Sequence, residues 1–353
     1  MIEIDKSWQD FKSTGNFLEF TRQWENGINQ RLESQLSNGL SVILHEIGIL
    51  QIKPNKPSNT YLLISSGIHG NETAPIEIVD QMVKDIWAGK LTVNVNLMLI
   101  IGNPPSMNIG KRFATQNLNR LFSGRWKSNE TNSDELDYEC QRAEIIEKAV
   151  TEFYTDNDAD EAQVNRYHYD LHTAIRPSKY EKFVLYPYLD ERPWDKTHIS
   201  FFGGADITTV LLGNQPAGTF SYYSSNRFNA MAATVELGKV KPFGKNNMQN
   251  FAGIDDNLRR LICAEPPLIK EFDNDTYKVF QVKQEIIKSN DEFKLLLDDD
   301  IKNFTSFTKG TLLASDGKGE GYTVENDGEA IVFPNNNVPI GQRVGVLLQE
   351  VKL

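Results

Sequence analysis

Tyr61-Leu62-Leu63-Ile64-Ser65-Ser66-Gly67-Ile68-His69-Gly70-Asn71-Glu72-Thr73-Ala74-Pro75 reads as a buried strand, a turn and the opening of a helix. The apolar run Tyr61 to Ile64 suits a strand with little solvent face. Thr73 can cap a helix and Pro75 is tolerated in a first turn, and Ile76, Ile78, Val79, Met82, Val83 and Ile86 then follow at helical spacing. Open α/β sheets place their ligands where a strand ends and a helix begins. In that turn His69 and Glu72 offer an imidazole and a carboxylate three residues apart, able to converge on one cation.

A third ligand candidate, His172, comes about a hundred residues later in Tyr169-Asp170-Leu171-His172-Thr173. Two nitrogens and one carboxylate are the usual set for a catalytic zinc, because the fourth position stays open for water. The expectation is one zinc per chain and a hydrolase. An HxxE alone is common, and a surface turn with Glu72 at the positive end of a helix accounts for it too. Asp170 sharpens the reading, since residues two apart on a strand share a face and Asp170 is then placed to orient His172. Of the five histidines, His45, His168 and His198 are left to structural or surface roles. His168 alternates with Asp170 and His172 and competes as a ligand, but lies farther from the strand end. The same donors also accept cobalt or manganese.

Outward from this core, Trp8, Phe11, Phe17, Phe20 and Trp24 suggest amphipathic segments that dock an N-terminal arm. Leu40 to His45 and Gly48 to Ile52 look like a hairpin, and Asn94 to Ile101 like a buried strand. Leu136 to Tyr154 reads as a helix with Cys140, Ala143, Ile145, Ile146, Val150 and Phe153 on or near its apolar side. Tyr167 to His172, Phe183 to Tyr186 and Ala232 to Leu237 are further strands, and Asn247 to Cys263 a final helix broken by Pro266-Pro267. Strands alternating with helices predict an α/β fold, a mixed sheet with a parallel core flanked by helices. Beyond the prolines come short β-like runs from Tyr277, Thr311, Tyr322, Ala330 and Val344, separated by Gly, Asn and Asp. The division expected is a catalytic domain over 1–264 and a small all-β domain over 265–353.

The chain has 353 residues, two cysteines and a net charge of −11. That charge argues against nucleic acid as a partner, since phosphate binding needs a basic face. No stretch approaches the length of a membrane span and no basic-then-apolar leader opens the chain, so cytoplasmic residence is expected. Cys140 and Cys263 form neither a disulfide framework nor a CxxC pattern.

Glu236 ends an apolar strand, where a carboxylate is unfavourable unless paired or functional; a buried ion pair and a catalytic base are both open on this ground. Arg112 and Arg120 stand eight residues apart behind a Gly-Asn-Pro turn. Guanidinium matches carboxylate in bidentate fashion, so such a pair suits a small anionic substrate.

Gly67 to Thr73, Asp170 to Arg176 and Val235 to Gly238, in this order, resemble the motifs of the succinylglutamate desuccinylase and aspartoacylase family, zinc hydrolases related to the metallocarboxypeptidases. The likeness spans roughly residues 60 to 245, and the desuccinylase branch is the nearer through Lys182-Phe183 and Pro242-Phe243-Gly244. The resemblance implies a zinc carboxypeptidase-like fold and hydrolysis of N-succinyl-L-glutamate to succinate and L-glutamate, the last step of arginine catabolism by the succinyltransferase route. It implies His69, Glu72 and His172 as zinc ligands and Glu236 as the catalytic glutamate. Arg112 would stabilise the oxyanion, and Asn119 with Arg120 would hold the α-carboxylate of the amino-acid half. Arg227 lies one residue from another substrate arginine of the family, Arg176 follows the ligand strand and is a candidate for the succinyl carboxylate, and Tyr322 is a counterpart to a C-terminal-domain tyrosine. The alternatives are an aspartoacylase-like or carboxypeptidase-type amidohydrolase, and a non-catalytic protein that binds zinc or small carboxylates.

Overall fold

The computed structural model describes residues 2–28, 30–128, 137–156, 163–317 and 321–353. Its helices are α1 (Ile2–Thr14), α2 (Phe17–Gln23), α3 (Thr73–Trp87), α4 (Pro104–Asn108), α5 (Tyr138–Thr155), α6 (Lys196–Gly204), α7 (Phe220–Phe228) and α8 (Ala252–Ile262). The strands are β1 (Leu32–Gln35), β2 (Ser41–Glu46), β3 (Ile49–Lys53), β4 (Thr60–Ser66), β5 (Asn96–Ile101), β6 (Asn165–Ala174), β7 (Phe183–Tyr186), β8 (Thr209–Leu212) and β9 (Met231–Lys239). The C-terminal part adds β10 (Lys278–Ile287), β11 (Lys294–Leu295), β12 (Thr305–Ser306), β13 (Leu312–Ser315), β14 (Gly321–Thr323), β15 (Ala330–Val332) and β16 (Arg343–Val351).

One sheet of 13 strands organises the molecule, in the order β1-β2-β3-β5-β4-β6-β9-β7-β8-β10-β16-β15-β12. β5, β4, β6 and β9 run parallel at its centre, and β3 and β7 flank them antiparallel. This is the mixed sheet with a parallel core that alternation of strands and helices predicts. After β4 the chain pairs β5 on one side, then returns through α5 to lay β6 on the other, which makes the β4/β6 crevice a topological switch point.

Two cores cover the two faces. Leu62, Ile64, Tyr169, Leu171, Val235 and Leu237 pack with residues of α1, α2, α3, α6 and α8. The N-terminal aromatics belong here, Phe11 lying 5.1 Å from Trp87 of α3. Leu63, Met98 and Ile100 face the other way, against Ile146, Val150 and Phe153 of α5 and Phe220 of α7. Strands buried on both faces need apolar residues at successive positions, hence Leu62-Leu63-Ile64 and Leu97-Met98-Leu99-Ile100-Ile101.

Several expectations need adjusting. Thr73 is the first residue of α3 rather than its cap, and its hydroxyl donates to the Lys241 carbonyl (2.7 Å). Glu72 takes the cap position but makes no side-chain cap bond, its carboxylate being held elsewhere. Ile145 faces solvent on α5, and Leu136 lies outside the described residues. A 3₁₀ turn, Met248–Phe251, precedes α8 where a single helix was expected. The C-terminal segment is all-β as expected; its β10 pairs in parallel with β8 and extends the large sheet, and among the described residues β11, β13 and β14 form a second sheet. Among the described residues no helix is long and apolar enough to cross a membrane.

Candidate active site

The chain leaves β4 at Ser66 and turns through Gly67, whose φ of +60° a side chain would strain. Gly70 lets the turn press against α4: a Cβ there would sit 2.1 Å from the Met107 nitrogen. The turn thereby sets His69 and Glu72 over the C-terminal ends of the parallel strands. His172 comes from the end of β6 and Glu236 from β9, its partner in the strand register. Register partners in parallel strands share a face, so the imidazole and the carboxylate emerge side by side.

His69, Glu72 and His172 are almost wholly buried and offer ligand atoms that all lie within 4.8 Å of one another. Nδ1 of His69 lies 2.8 Å from Glu72 Oε1, Nδ1 of His172 lies 2.8 Å from Glu72 Oε2, and the two Nδ1 atoms are 3.2 Å apart. Glu72 Oε2 also accepts from the Thr173 amide (3.0 Å). Burial would raise the Glu72 pKa, but the charges of His69 and His172 hold it well below the ordinary range. Burial likewise opposes protonation of His172, yet the charges of Asp170 and Glu72 raise it well above its usual value. His69 goes the other way, down to about 4, through burial and then the charge of Arg112.

The outer nitrogens of both rings are spoken for. Asn117 Oδ1 accepts from the Asn119 amide (3.0 Å), which identifies it as the oxygen, so His69 Nε2 at 2.9 Å donates to it. His172 Nε2 donates to Asp170 Oδ2 (2.9 Å), and Asp170 Oδ1 accepts from the Ser65 hydroxyl (2.6 Å). With the outer nitrogens donating, each ring that has given up its Nδ1 proton presents that lone pair to the same point as the Glu72 carboxylate. Three lone pairs converging in a buried space suit a cation, and outer acceptors that fix ring orientation are what metal-binding histidines have. The donor set therefore fits a metal ion.

Glu236 is the other charge of the site. Its Oε2 is buried and finds no hydrogen-bond partner among the described residues. Burial, and then the charge of Glu72, push its pKa up to about 7. A carboxyl poised there can take up and release a proton near neutrality. No cation pairs with it among the described residues, which weighs against the ion-pair alternative.

The loop after α4 brings the polar anchors. Arg112 donates from Nη1 to Glu72 Oε1 (2.7 Å), and its carbonyl accepts from the Gly70 amide (3.1 Å). Asn119 is buried, accepts from the Phe220 amide at Oδ1 (2.9 Å) and sets Nδ2 3.4 Å from His172 Nε2. Arg120 is exposed and donates to the Asn119 carbonyl (2.6 Å). Arg343 and Glu285, from β16 and β10, are paired at 2.9 Å.

The remaining expected residues stand elsewhere. Arg176 donates from Nη1 to the Asp299 carbonyl. Arg227 is exposed in the last turn of α7, 6.0 Å from the Phe228 ring. Tyr322 lines a cavity of about 690 Å³ in the C-terminal part with Gln284, Phe293 and Lys309. His168 is not among the converging ligands; its Nε2 bonds Ser65 Oγ (2.8 Å) beneath Asp170. Asn117 received no role from the sequence, although its place in Asn117-Leu118-Asn119 behind Arg112 was the available signal.

Residues 58–262 match the succinylglutamate desuccinylase/aspartoacylase catalytic domain, and residues 275–351 the AstE/AspA barrel-sandwich hybrid domain. The chain is 47% identical over 342 residues to a succinylglutamate desuccinylase of Pseudoalteromonas atlantica, covering 97% of this chain and 96% of that one. It is 42% identical over 332 residues to that of Idiomarina loihiensis, covering 94% and 95%. The X-ray structure of the Vibrio parahaemolyticus succinylglutamate desuccinylase superposes with a TM-score of 0.83 at 37% identity, covering 95% of each chain. That of Chromobacterium violaceum gives 0.82 at 34%, covering 96% and 98%.

Proposed function

The chain belongs to the succinylglutamate desuccinylase/aspartoacylase family, and on that premise we propose that it hydrolyses N-succinyl-L-glutamate to succinate and L-glutamate. His69, Glu72 and His172 hold one zinc ion per chain in this reading, since two imidazoles and a carboxylate are its usual catalytic set. When bound, the ion supplies Lewis acidity that acidifies a water and polarises the amide carbonyl. Glu236 accepts the proton of the attacking water and delivers it to the departing glutamate nitrogen as the C–N bond breaks. Arg112, one N–H on Glu72 and the others uncommitted among the described residues, stabilises the carbonyl oxygen as it gains charge. Asn119 and Arg120 hold the α-carboxylate of the glutamate half. Arg176 is the candidate for the succinyl carboxylate, and Arg227 lies one residue from the position of another substrate arginine of the family.

The observation that carries this reading is Glu236, a buried carboxylate with an unpartnered oxygen, register partner of His172. Glu236→Gln should keep the metal and lower kcat by about 100- to 10,000-fold. Near-normal kcat with zinc bound would remove Glu236 from this role. The same reading carries a division at residues 264 and 265 between catalytic and β-rich parts, cytoplasmic residence, and a place at the end of the succinyltransferase route of arginine catabolism.

A further inference from the structure

Glu139 lies in the first turn of α5, and none of its side chain reaches solvent. A buried carboxylate is costly unless its lone pairs are met. Here no cation meets them among the described residues. Oε1 accepts from the Ala114 amide (2.6 Å) and Asn103 Nδ2 (3.1 Å). Oε2 accepts from the Thr115 amide (3.2 Å), the Thr115 hydroxyl (2.5 Å) and the Gln116 amide (3.5 Å). Its negative charge is thus given over to one short segment of backbone. Arg112 lies two residues before that segment, Asn117 follows it at once, and Asn119 and Arg120 come just beyond.

Gln116 adds side-chain hydrogen bonds to Asp137 Oδ2 and to Cys140 Sγ (3.2 Å), at the start of the same helix. Lys111, Ala114 and Thr115 are exposed, so their side chains bury no apolar surface that would fix the loop. The helix that bears Glu139 is itself anchored. Arg142, one turn along, donates to the carbonyls of Gly102 (2.7 Å), Ile47 (2.7 Å) and Ile101 (3.2 Å), fastening α5 to the end of β5.

We propose that Glu139 is a positioning residue for the active-site loop: by folding residues 114–116 around its carboxylate it sets Arg112 against Glu72 and Asn117 against His69. The inference rests on the reading above for what Arg112 and its neighbours do, but not for the loop's order. Glu139 touches no substrate atom; it acts through the residues it places.

Glu139→Gln tests this, because it keeps the shape and turns an NH₂ group toward N–H and O–H donors. Amide exchange at Ala114, Thr115 and Gln116 should quicken by about tenfold or more while the middle of α5 stays protected. The kcat/KM for N-succinyl-L-glutamate should fall by about tenfold or more through both a lower kcat and a higher KM, with zinc still bound at one per chain. Thr115→Val removes a single donor and should shift both readings the same way by less; it decides the matter if Glu139→Gln does not fold. Loop exchange and kcat/KM within about twofold of the parent would overturn the proposal. Should the parent chain itself not turn over the substrate, the proposed function fails, and loop exchange alone judges Glu139.

Discussion

Asp170 fixes which nitrogen of His172 faces the ligand cluster. It accepts from His172 Nε2 at 2.9 Å and is itself held by Ser65, both wholly or almost wholly buried. Asp170→Asn keeps the size but presents an acceptor of lower charge, or a competing donor, to the ring. Zinc affinity should fall by about 10- to 100-fold, measured by competition with a chelator, with the fold intact. An unchanged affinity would mean that Asp170 does not orient the ring. At this scale the sequence was informative where chemistry and spacing coincide. His69 with Glu72, and Asp170 with His172, are unusual enough in type and interval to be picked out, and the structure brings the three candidate ligands together. Asn117 was not legible, because an asparagine beside a turn has many ordinary uses and its contact with His69 depends on a loop that Glu139 folds from elsewhere. Nearness in sequence to His172 suggests Arg176 for the site, yet two residues beyond β6 its side chain bonds the Asp299 carbonyl.

The element on which the site depends is the β4–turn–α3 unit. Its turn is defined by close approach, since a Cβ on Gly70 would meet the Met107 nitrogen at 2.1 Å and the Ser106 carbonyl carbon at 2.3 Å. These are backbone atoms, so α4 would have to move. Gly70→Ala should destabilise the protein by roughly 1–3 kcal/mol and loosen the metal site with it; a thermal midpoint and zinc affinity equal to the parent would show that the turn has slack. Strands buried on both faces were readable as apolar runs. The structure adds β8, α6 and α7, whose residues carry little signal of an element. Four residues, Thr209–Leu212, are too few to show a period. α7, Phe220-Ser221-Tyr222-Tyr223-Ser224-Ser225-Asn226-Arg227-Phe228, is rich in aromatic and hydroxyl residues that are indifferent helix formers. Packing of Phe220 on Phe122 (4.5 Å between ring centres) and the Thr219 cap hold it instead. Propensity gives way there to tertiary contact.

Across the whole molecule the two parts share a sheet and a core. Phe183 and Leu211 pack with Phe280, Phe304, Val332 and Val346 from the C-terminal part, and β8 has β10 as its parallel neighbour. Composition separates the β-rich segment well, but sequence cannot show that its first strand continues the large sheet, because that pairing joins residues far apart in the chain. A shared core predicts a single calorimetric transition in which calorimetric and van't Hoff enthalpies agree. Two resolved transitions would mean that the parts unfold independently.

We propose hydrolysis of N-succinyl-L-glutamate at a metal site built from His69, Glu72 and His172. It is tested most directly by following glutamate release from purified protein, stripped of metal and then resupplied with zinc, with N-acetyl-L-aspartate alongside. Turnover of the succinyl substrate should be lost on stripping, return with about one zinc per chain, and exceed turnover of the acetyl substrate. Turnover undiminished by complete metal removal, or none from the zinc-loaded protein, would contradict it.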